Sequence, residues 1–285
     1  MKRIAVTGGN GNLGAQIVNH LLEKDYEVTV LDIKERQDAV PKRNKVVTKI
    51  LDLNNYHEVE HAMAGCDALI HMAAIPSPGI VEPHVLFSNN AVSTYNVLEA
   101  ACKLEFQKVV LASSESAYGF PWAHRSLSPL YVPVDELHPL IPHDDYGISK
   151  AVNEITGESF FRRTGMQVVS LRLSTVSTPD IYAYFLNCLN KPEELRRILW
   201  SYIDIRDAAN ACVLALEKSG LGYMALNITA NDTCSNIRTQ ELMERFFPDV
   251  TDIRTPFSGF EALYSNEKAK HILGWEIVHN WRDPC

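Results

Sequence analysis

Two groups of residues in this 285-residue chain have the types and spacing to do chemistry, and the first is Tyr146-Gly147-Ile148-Ser149-Lys150. Residues four apart on a helix share a face, so the phenol and the ammonium can reach one ligand. A tyrosine at its ordinary pKa of about 10 is a poor base at neutral pH. A neighbouring cation favours the phenolate and makes proton exchange with a hydroxyl or a carbonyl feasible. Hydride transfer needs that exchange: the O–H proton of a carbinol must leave as its C–H hydride departs, and reduction of a carbonyl requires the reverse. Ser113 and Ser114, which close the apolar run Lys108 to Ala112, place hydroxyls upstream of the same segment.

The second group is Thr7-Gly8-Gly9-Asn10-Gly11-Asn12-Leu13-Gly14, which follows an apolar run and opens a helical pattern with Leu13, Ile17, Leu21 and Leu22 on one face. Gly8, Gly11 and Gly14 permit a tight turn, close approach of a pyrophosphate and close helix-to-strand packing, while the helix N-terminus offers free N–H groups to phosphates. The run Glu27 to Leu31 ends in Asp32, eighteen positions beyond Gly14. A carboxylate there accepts hydrogen bonds from ribose hydroxyls and repels a 2′-phosphate, which predicts NAD over NADP; Lys34 and Arg36 nearby pull the other way.

Tyrosine four before lysine is not specific by itself, since the chain has eleven tyrosines and Tyr264-Ser265-Asn266-Glu267-Lys268 repeats the spacing. Position decides between the two. Tyr146 follows a strand that ends in Ser113 and Ser114, at the carboxyl edge where open α/β sheets bind ligands. Tyr264 and Lys268 have no such partner and are expected on an ordinary helix surface.

The elements that must hold these groups alternate. Arg3 to Thr7, Glu27 to Asp32, Val46 to Ile50, Ala68 to His71, Lys108 to Ala112 and Gln167 to Leu171 have the pattern of short buried strands, separated mostly by helical stretches. This predicts an α/β fold, a Rossmann-type doubly wound parallel sheet with right-handed crossovers. Residues 1–172, with returns near 203–228 such as Ile205 to Glu217, form the expected dinucleotide-binding domain. Residues 173–285 form a smaller, interleaved C-terminal substrate-binding lobe. The stretch Gly119 to Asp145 carries five of the fourteen prolines and is expected to be a long lid or binding loop.

Composition narrows the partners. The chain is 46% hydrophobic and 22% charged with a net charge of −8 and no basic run, which excludes an electrostatic footprint for nucleic acid or an anionic membrane. Six cysteines form no CxxC pair, so no metal site is expected and they are taken as reduced packing residues. The opening residues lack the apolar length of an export signal, and no later segment approaches the roughly 18 apolar residues of a membrane span, so a cytoplasmic protein is expected. His71, at a buried strand end, is expected to be a satisfied core histidine.

Taken together, the chain resembles the extended short-chain dehydrogenases, also called the NAD-dependent epimerase/dehydratase family, over nearly its whole length. The resemblance rests on Thr7 to Gly14, Asp32, Asp52-Leu53, His71-Met72-Ala73-Ala74, Asn90 followed by Leu98 to Ala101, Ser113-Ser114 before Tyr118-Gly119, Tyr146 to Lys150, and Tyr202 to Asp207. It implies that Ser114 bonds the reacting oxygen, Tyr146 is the acid/base, and Lys150 binds the nicotinamide ribose and lowers the tyrosine pKa. It further implies that Gly8, Gly11, Asn12, Leu13 and Gly14 hold the dinucleotide, Asp52 and Leu53 border its adenine, and Ala73 and Ala74 admit its backbone. Asn90 would hold the active-site helix or a water near Lys150. The helical stretches Pro83 to Lys103 and Tyr146 to Arg163 resemble the pair that forms a homodimer interface in the family.

Nucleotide-sugar members commonly carry an asparagine three places after the arginine of the sixth strand, whereas Arg172 here is followed by Leu173-Ser174-Thr175. Uronate dehydrogenases have a hydroxyl in that neighbourhood, so an unactivated sugar or sugar acid is the expected substrate, with Thr175, Ser77 and Ser116 as candidate contacts. Ser113 and Ser116 fit either a substrate contact or a turn hydroxyl. Arg172 or Arg206 would suit a substrate carboxylate, or would tie strand ends to Asp204 or Asp207. The expected function is NAD-dependent oxidoreduction of a sugar-like substrate. The alternatives are a 4-epimerase or dehydratase with tightly bound NAD, and a non-catalytic NAD-sensing module.

Overall fold

Buried parallel strands must be short and apolar on both faces, and the strands here obey that rule wherever helices cover them. The computed structural model describes residues 1–36 and 44–282. Its first two-thirds run β1 (Arg3–Thr7), α1 (Asn12–Glu23), β2 (Glu27–Asp32), β3 (Val46–Ile50), α2 (Tyr56–Met63), β4 (Ala68–His71), α3 (Pro83–Lys103), β5 (Lys108–Ser114), α4 (Asp145–Thr164) and β6 (Gln167–Leu173). The remainder runs β7 (Val176–Ser177), α5 (Pro179–Cys188), β8 (Ile203–Asp204), α6 (Ile205–Glu217), β9 (Tyr223–Ile228), α7 (Thr239–Phe246) and α8 (Glu267–Leu273). Seven strands form one parallel sheet in the order β3-β2-β1-β4-β5-β6-β9, so the strand order reverses between β1 and β4. Ligands bind at such a reversal, outside the carboxyl ends of the strands.

Each face of the sheet has its own core. Ile17 and Leu21 of α1 pack with Ala208 and Cys212 of α6 on one side. Val59 of α2, Val97 of α3 and Phe160 of α4 cover the other. The stretch Ile205 to Glu217 is therefore a covering helix, and the strand that rejoins the sheet from the C-terminal part is β9. A third core joins Tyr118 and Phe120 to Phe185, Trp200, Tyr202 and Phe247 beneath the C-terminal lobe. The proline-rich stretch after β5 is tied into this core. Val132 N–H donates to the Asp252 carbonyl at 3.1 Å, and Val134 N–H donates to the Leu263 carbonyl at 2.7 Å. Only part of the expected lid is thus free of the lobe.

Tyr264 corrects the surface assignment, for it is buried in this third core and α8 begins only at Glu267. The local spacing suggested a helix face, but packing against Tyr118 and Phe120 determines where the ring goes. Cys66, Cys102, Cys188, Cys212 and Cys234 are unpaired, and Cys285 lies outside the described residues. Among the described residues no helix is long and apolar enough to cross a membrane.

One buried ion pair ties α4 to the strands beside it. The Glu154 carboxylate accepts from Arg172 Nε at 2.9 Å and Nη2 at 2.8 Å, and from Ser113 Oγ at 2.5 Å. Arg172 also donates to the Tyr118 hydroxyl at 2.8 Å, and that hydroxyl donates to Asn227 Oδ1 at 2.7 Å. The side chains of Arg172 and Glu154 are 6% and 5% exposed, so neither has water as a substitute partner. Glu154→Ala would leave the guanidinium buried and uncompensated. It is expected to lower unfolding stability by about 3–5 kcal/mol in urea denaturation, and Glu154→Gln, which keeps an acceptor, by less.

Candidate active site

A cleft of about 1060 Å³ opens along the carboxyl edge of the sheet, from the loop after β1 to the start of the C-terminal lobe. Gly8, Gly11, Asn12, Leu13, Gly14, Asp32, Asp52, Leu53, Ala73 and Ala74 all line it. Its nucleotide end is shaped by missing side chains. Gly8 has φ of +65°, and a Cβ there would lie 2.8 Å from the Ala73 nitrogen. A Cβ on Gly14 would lie 2.1 Å from the Gly8 carbonyl oxygen, so the turn closes only around glycine. α1 then begins with no side-chain cap and no acid in its first turn, which leaves N–H groups for an anion.

The carboxylate of Asp32 accepts from the Asn10 N–H at 2.9 Å and the Ile33 N–H at 2.8 Å, which fixes it at the end of β2. Arg36 donates to Asn12 Oδ1 at 2.8 Å, across the mouth of the glycine turn. Thr7 Oγ1 accepts from the N–H groups of Met72 and Ala73, each at 3.2 Å, and so joins the ends of β1 and β4. His71 Nδ1 lies 2.7 Å from Thr7 Oγ1, and Nε2 lies 3.0 Å from Thr94 Oγ1. Burial pushes this imidazole down to about 3 and Lys150 adds to the effect, so it is a neutral, fully bonded core group. A glycine cradle, an uncapped helix start and an acid at the end of β2 fit a dinucleotide pyrophosphate and its adenosine ribose.

The other end of the cleft gathers Ser114, Tyr146 and Lys150. Asp144 caps α4 by accepting the Gly147 N–H at 2.7 Å. A Cβ on Gly147 would come within 2.5 Å of the Ser116 carbonyl oxygen, so glycine lets α4 start hard against the turn after β5. Lys150 Nζ donates to the Ala112 carbonyl at 2.8 Å and stands 5.4 Å from the centre of the Tyr146 ring. Burial pushes the ammonium down to about 8, opposed by the Glu154 carboxylate.

The phenol moves against the expectation drawn from its helix neighbour. Burial pushes Tyr146 up to about 12, a hydrogen bond from Ser114 opposes this, and the carboxyls of Asp144 and Glu115 reinforce it. The loss of water around the phenolate outweighs the stabilising hydrogen bond from Ser114.

Not every expected contact reaches the cleft. Ser116 and Thr175 line it, whereas Ser77, Arg172 and Asn90 do not. Arg172 is held by Glu154, and Arg206 binds Asp204 through Nε at 2.8 Å and Nη2 at 2.9 Å. Asn90 braces the loop after β4, accepting the Ile75 N–H at 2.8 Å and donating to the Ile75 carbonyl at 3.0 Å. Its amide also reaches Ser149 of α4 at 3.4 Å.

Glu115 and Trp122 line the cleft without having been expected there. Glu115 is buried, accepts from Thr175 Oγ1 at 3.2 Å and from the Ser201 hydroxyl, and is also bonded by Ser174. Burial pushes its carboxyl up to about 8 against these hydrogen bonds. An acid set between Ser114 and Ser116, just past an apolar strand, was the available signal.

Comparison with known proteins points the same way as the cleft. Residues 4–229 match the model of the NAD dependent epimerase/dehydratase family. The L-arabinose 1-dehydrogenase (NAD(P)(+)) of Haloferax volcanii is 33% identical over 187 residues, covering 63% of this chain and 69% of that enzyme. The UDP-glucose 4-epimerase of Lacticaseibacillus casei is 26% identical, covering 96% of this chain and 91% of its own. These and similar curated relatives are matched over shares of their own length from 55% upward. Among solved structures, a UDP-galactose 4-epimerase superposes with a TM-score of 0.70 at 28% identity, covering 97% of this chain and 94% of that one.

The environment of Glu115 carries a pH signature. Its carboxyl ionises at about 8 in the fold against an ordinary 4.5. Its contribution to stability is therefore fully present below the ordinary value and is lost as pH rises through the folded one. Thermal melts at about pH 6 and about pH 9 should show a smaller loss for Glu115→Gln, which cannot ionise, than for the unaltered protein.

Proposed function

The chain belongs to the NAD dependent epimerase/dehydratase family, and from that premise we propose that it catalyses net oxidoreduction of an unactivated sugar, with Ser114, Tyr146 and Lys150 as its catalytic residues. It is an NAD-dependent enzyme of the short-chain dehydrogenase type. The observation that carries the proposal is the convergence of those three side chains on one end of a cleft whose other end fits a dinucleotide. The aldose dehydrogenase among its relatives and the absence of the nucleotide-sugar asparagine at Thr175 favour a small sugar over a sugar nucleotide.

Bound in this cleft, NAD supplies the acceptor or donor for the hydride and, when oxidised, a positive charge that favours the nearby phenolate. The protein supplies the proton path. Tyr146 takes the hydroxyl proton of the carbinol, or returns it to the carbonyl oxygen. Ser114, already bonded to the phenol, orients the reacting oxygen toward it. Lys150, with its ammonium anchored on Ala112, holds a positive charge beside the ring and limits the cost of the phenolate. Gly8, Gly11, Asn12, Leu13 and Gly14 hold the pyrophosphate, Asp32 the adenosine ribose, Asp52 and Leu53 the adenine, and Ala73 and Ala74 make room for the cofactor chain. Asn90 keeps the loop after β4 in register with α4.

On this reading residues 1–172, completed by the return near 203–228, bind the cofactor, and residues 173–285 face the substrate. α3 exposes Val85, Val92 and Tyr95, and α4 exposes Ile148 and Ile155, an apolar surface suited to a two-fold interface in a homodimer. Unpaired cysteines fit a cytoplasmic protein.

Tyr146→Phe removes the proton path while leaving the cleft's shape. Stopped assays of NADH formation on a sugar panel should show kcat reduced by roughly 10²–10⁴-fold, with the Kd for NAD nearly unchanged; near-full turnover would exclude the role. NAD that copurifies in stoichiometric amount, with no net NADH from any sugar, would instead identify a 4-epimerase. Light scattering at micromolar concentration should give twice the chain mass, and a monomer would count against the interface.

A further inference from the structure

We propose that Glu115, acting through Ser174 and Thr175, together with Trp122, forms a subsite that selects an uncharged sugar over the corresponding sugar acid. The proposal rests on the reading of the cleft as a sugar-oxidising site and names which sugars that site takes.

Glu115 follows Ser114 directly, and both line the cleft. It is 4% exposed and is surrounded by hydroxyls. When Glu115 is ionised, the hydroxyls of Thr175, Ser174 and Ser201 all donate to it. Ser174 and Thr175 also line the cleft. A hydroxyl has one proton and two lone pairs. Once its proton is committed to Glu115, it can only accept hydrogen bonds on the cleft side. Acceptors want donors, and sugar hydroxyls are donors. A substrate carboxylate is acceptor-only and gains no hydrogen bond from these hydroxyls.

Among the described residues no arginine lines the substrate end. Among the described residues lining the substrate end, Lys150 is the only lysine or arginine, and its ammonium is bound to the Ala112 carbonyl. Arg172 is turned away into its pair with Glu154, and Arg206 is held by Asp204. Burying a carboxylate without a cation or donors is costly. Trp122, in the loop after β5, lines the same cleft and is 40% exposed. Its ring presents an electron-rich face, which suits the polarised C–H edge of a pyranose.

The test compares matched pairs, D-galactose with D-galacturonate and D-glucose with D-glucuronate, together with L-arabinose. NADH formation is followed at about pH 9, above the ionisation of Glu115. The unaltered enzyme should favour the neutral member in kcat/KM by at least roughly 100-fold. Glu115→Gln places an amide N–H where an acceptor stood and turns a hydroxyl proton toward the cleft, so the preference should shrink by about tenfold or more. A role for Glu115 in folding alone would not move that ratio. Trp122→Ala, at an exposed position, should raise the KM for the neutral sugar by about tenfold and leave the Kd for NAD unchanged.

Equal or faster turnover of the acids by the unaltered enzyme would overturn the subsite while leaving oxidoreduction intact. So would an unchanged ratio in Glu115→Gln with an unchanged KM in Trp122→Ala. If Glu115→Gln does not fold, Thr175→Val removes one of the acceptors and should weaken the neutral sugar; unchanged kinetics there would also overturn the subsite. Calorimetry separates the two readings. Binding of the neutral sugar that is lost in Trp122→Ala, with no NADH formed, would support the subsite and overturn net oxidoreduction.

Discussion

The buried carboxylate of Glu154 is the constraint on which the active end of the molecule depends. Tyr146, Lys150 and Glu154 lie at successive four-residue steps along α4, one face of one helix. The first two face the cleft, and the third is gripped by Arg172 of β6 and Ser113 of β5. The helix cannot slide or rotate against the sheet without breaking a pair that water cannot replace. Ser114 is the residue after Ser113, so the same grip fixes the distance between the strand's hydroxyl and the helix's phenol. The pair also acts at a distance, because the Glu154 charge opposes the burial that would otherwise discharge Lys150 further. A buried ion pair is weak evidence for net stability. Here its direct consequence is registration.

The nucleotide end solves a different problem. It needs space and unshared N–H groups, and it obtains both from glycine and from the ends of strands. Gly8 and Gly14 are packed against backbone, so each excludes any side chain. Thr7 then closes the gap between β1 and β4 with one oxygen serving two N–H groups and an imidazole. The two ends of the cleft are therefore rigid for opposite reasons, one by the absence of side chains and the other by a saturated network of them.

Much of this was legible in the sequence because it is local. Strand runs, the glycine spacing, Asp32 at its fixed offset and the tyrosine-lysine step each depend on a few adjacent residues, and the helical and strand periods convert them into shared faces. What escaped was decided by packing between distant segments. Tyr264 has the spacing of a helix surface residue, yet it fills the third core with Tyr118. Arg172 has the chemistry to bind a substrate carboxylate, but Glu154, eighteen positions upstream, claims it. The shift at Tyr146 ran against the expectation because neighbours in sequence report charges, while burial depends on everything that encloses the ring. Glu115 drew no reading from the sequence, because its hydrogen-bond partners Ser174, Thr175 and Ser201 come from segments far along the chain.

That contrast separates what is general in the fold from what is particular to this chain. The proposed proton path draws on β5 and α4, elements fixed by the sheet, and its residues have little freedom to vary without loss of registration. The other residues lining that part of the cleft come from segments that the sheet does not fix: the turn after β5, the loop carrying Trp122, and Ser174 and Thr175 beyond β6. Changes there alter which donors and acceptors face the cleft but leave Tyr146, Lys150 and Ser114 where they are. Glu115 adjoins both sets, since it follows Ser114 in the chain and accepts from Thr175 and Ser201. Its carboxyl reinforces the upward push on the Tyr146 phenol and accepts from the hydroxyls beyond β6, so on the proposed reading substrate choice and proton transfer meet at one carboxyl group.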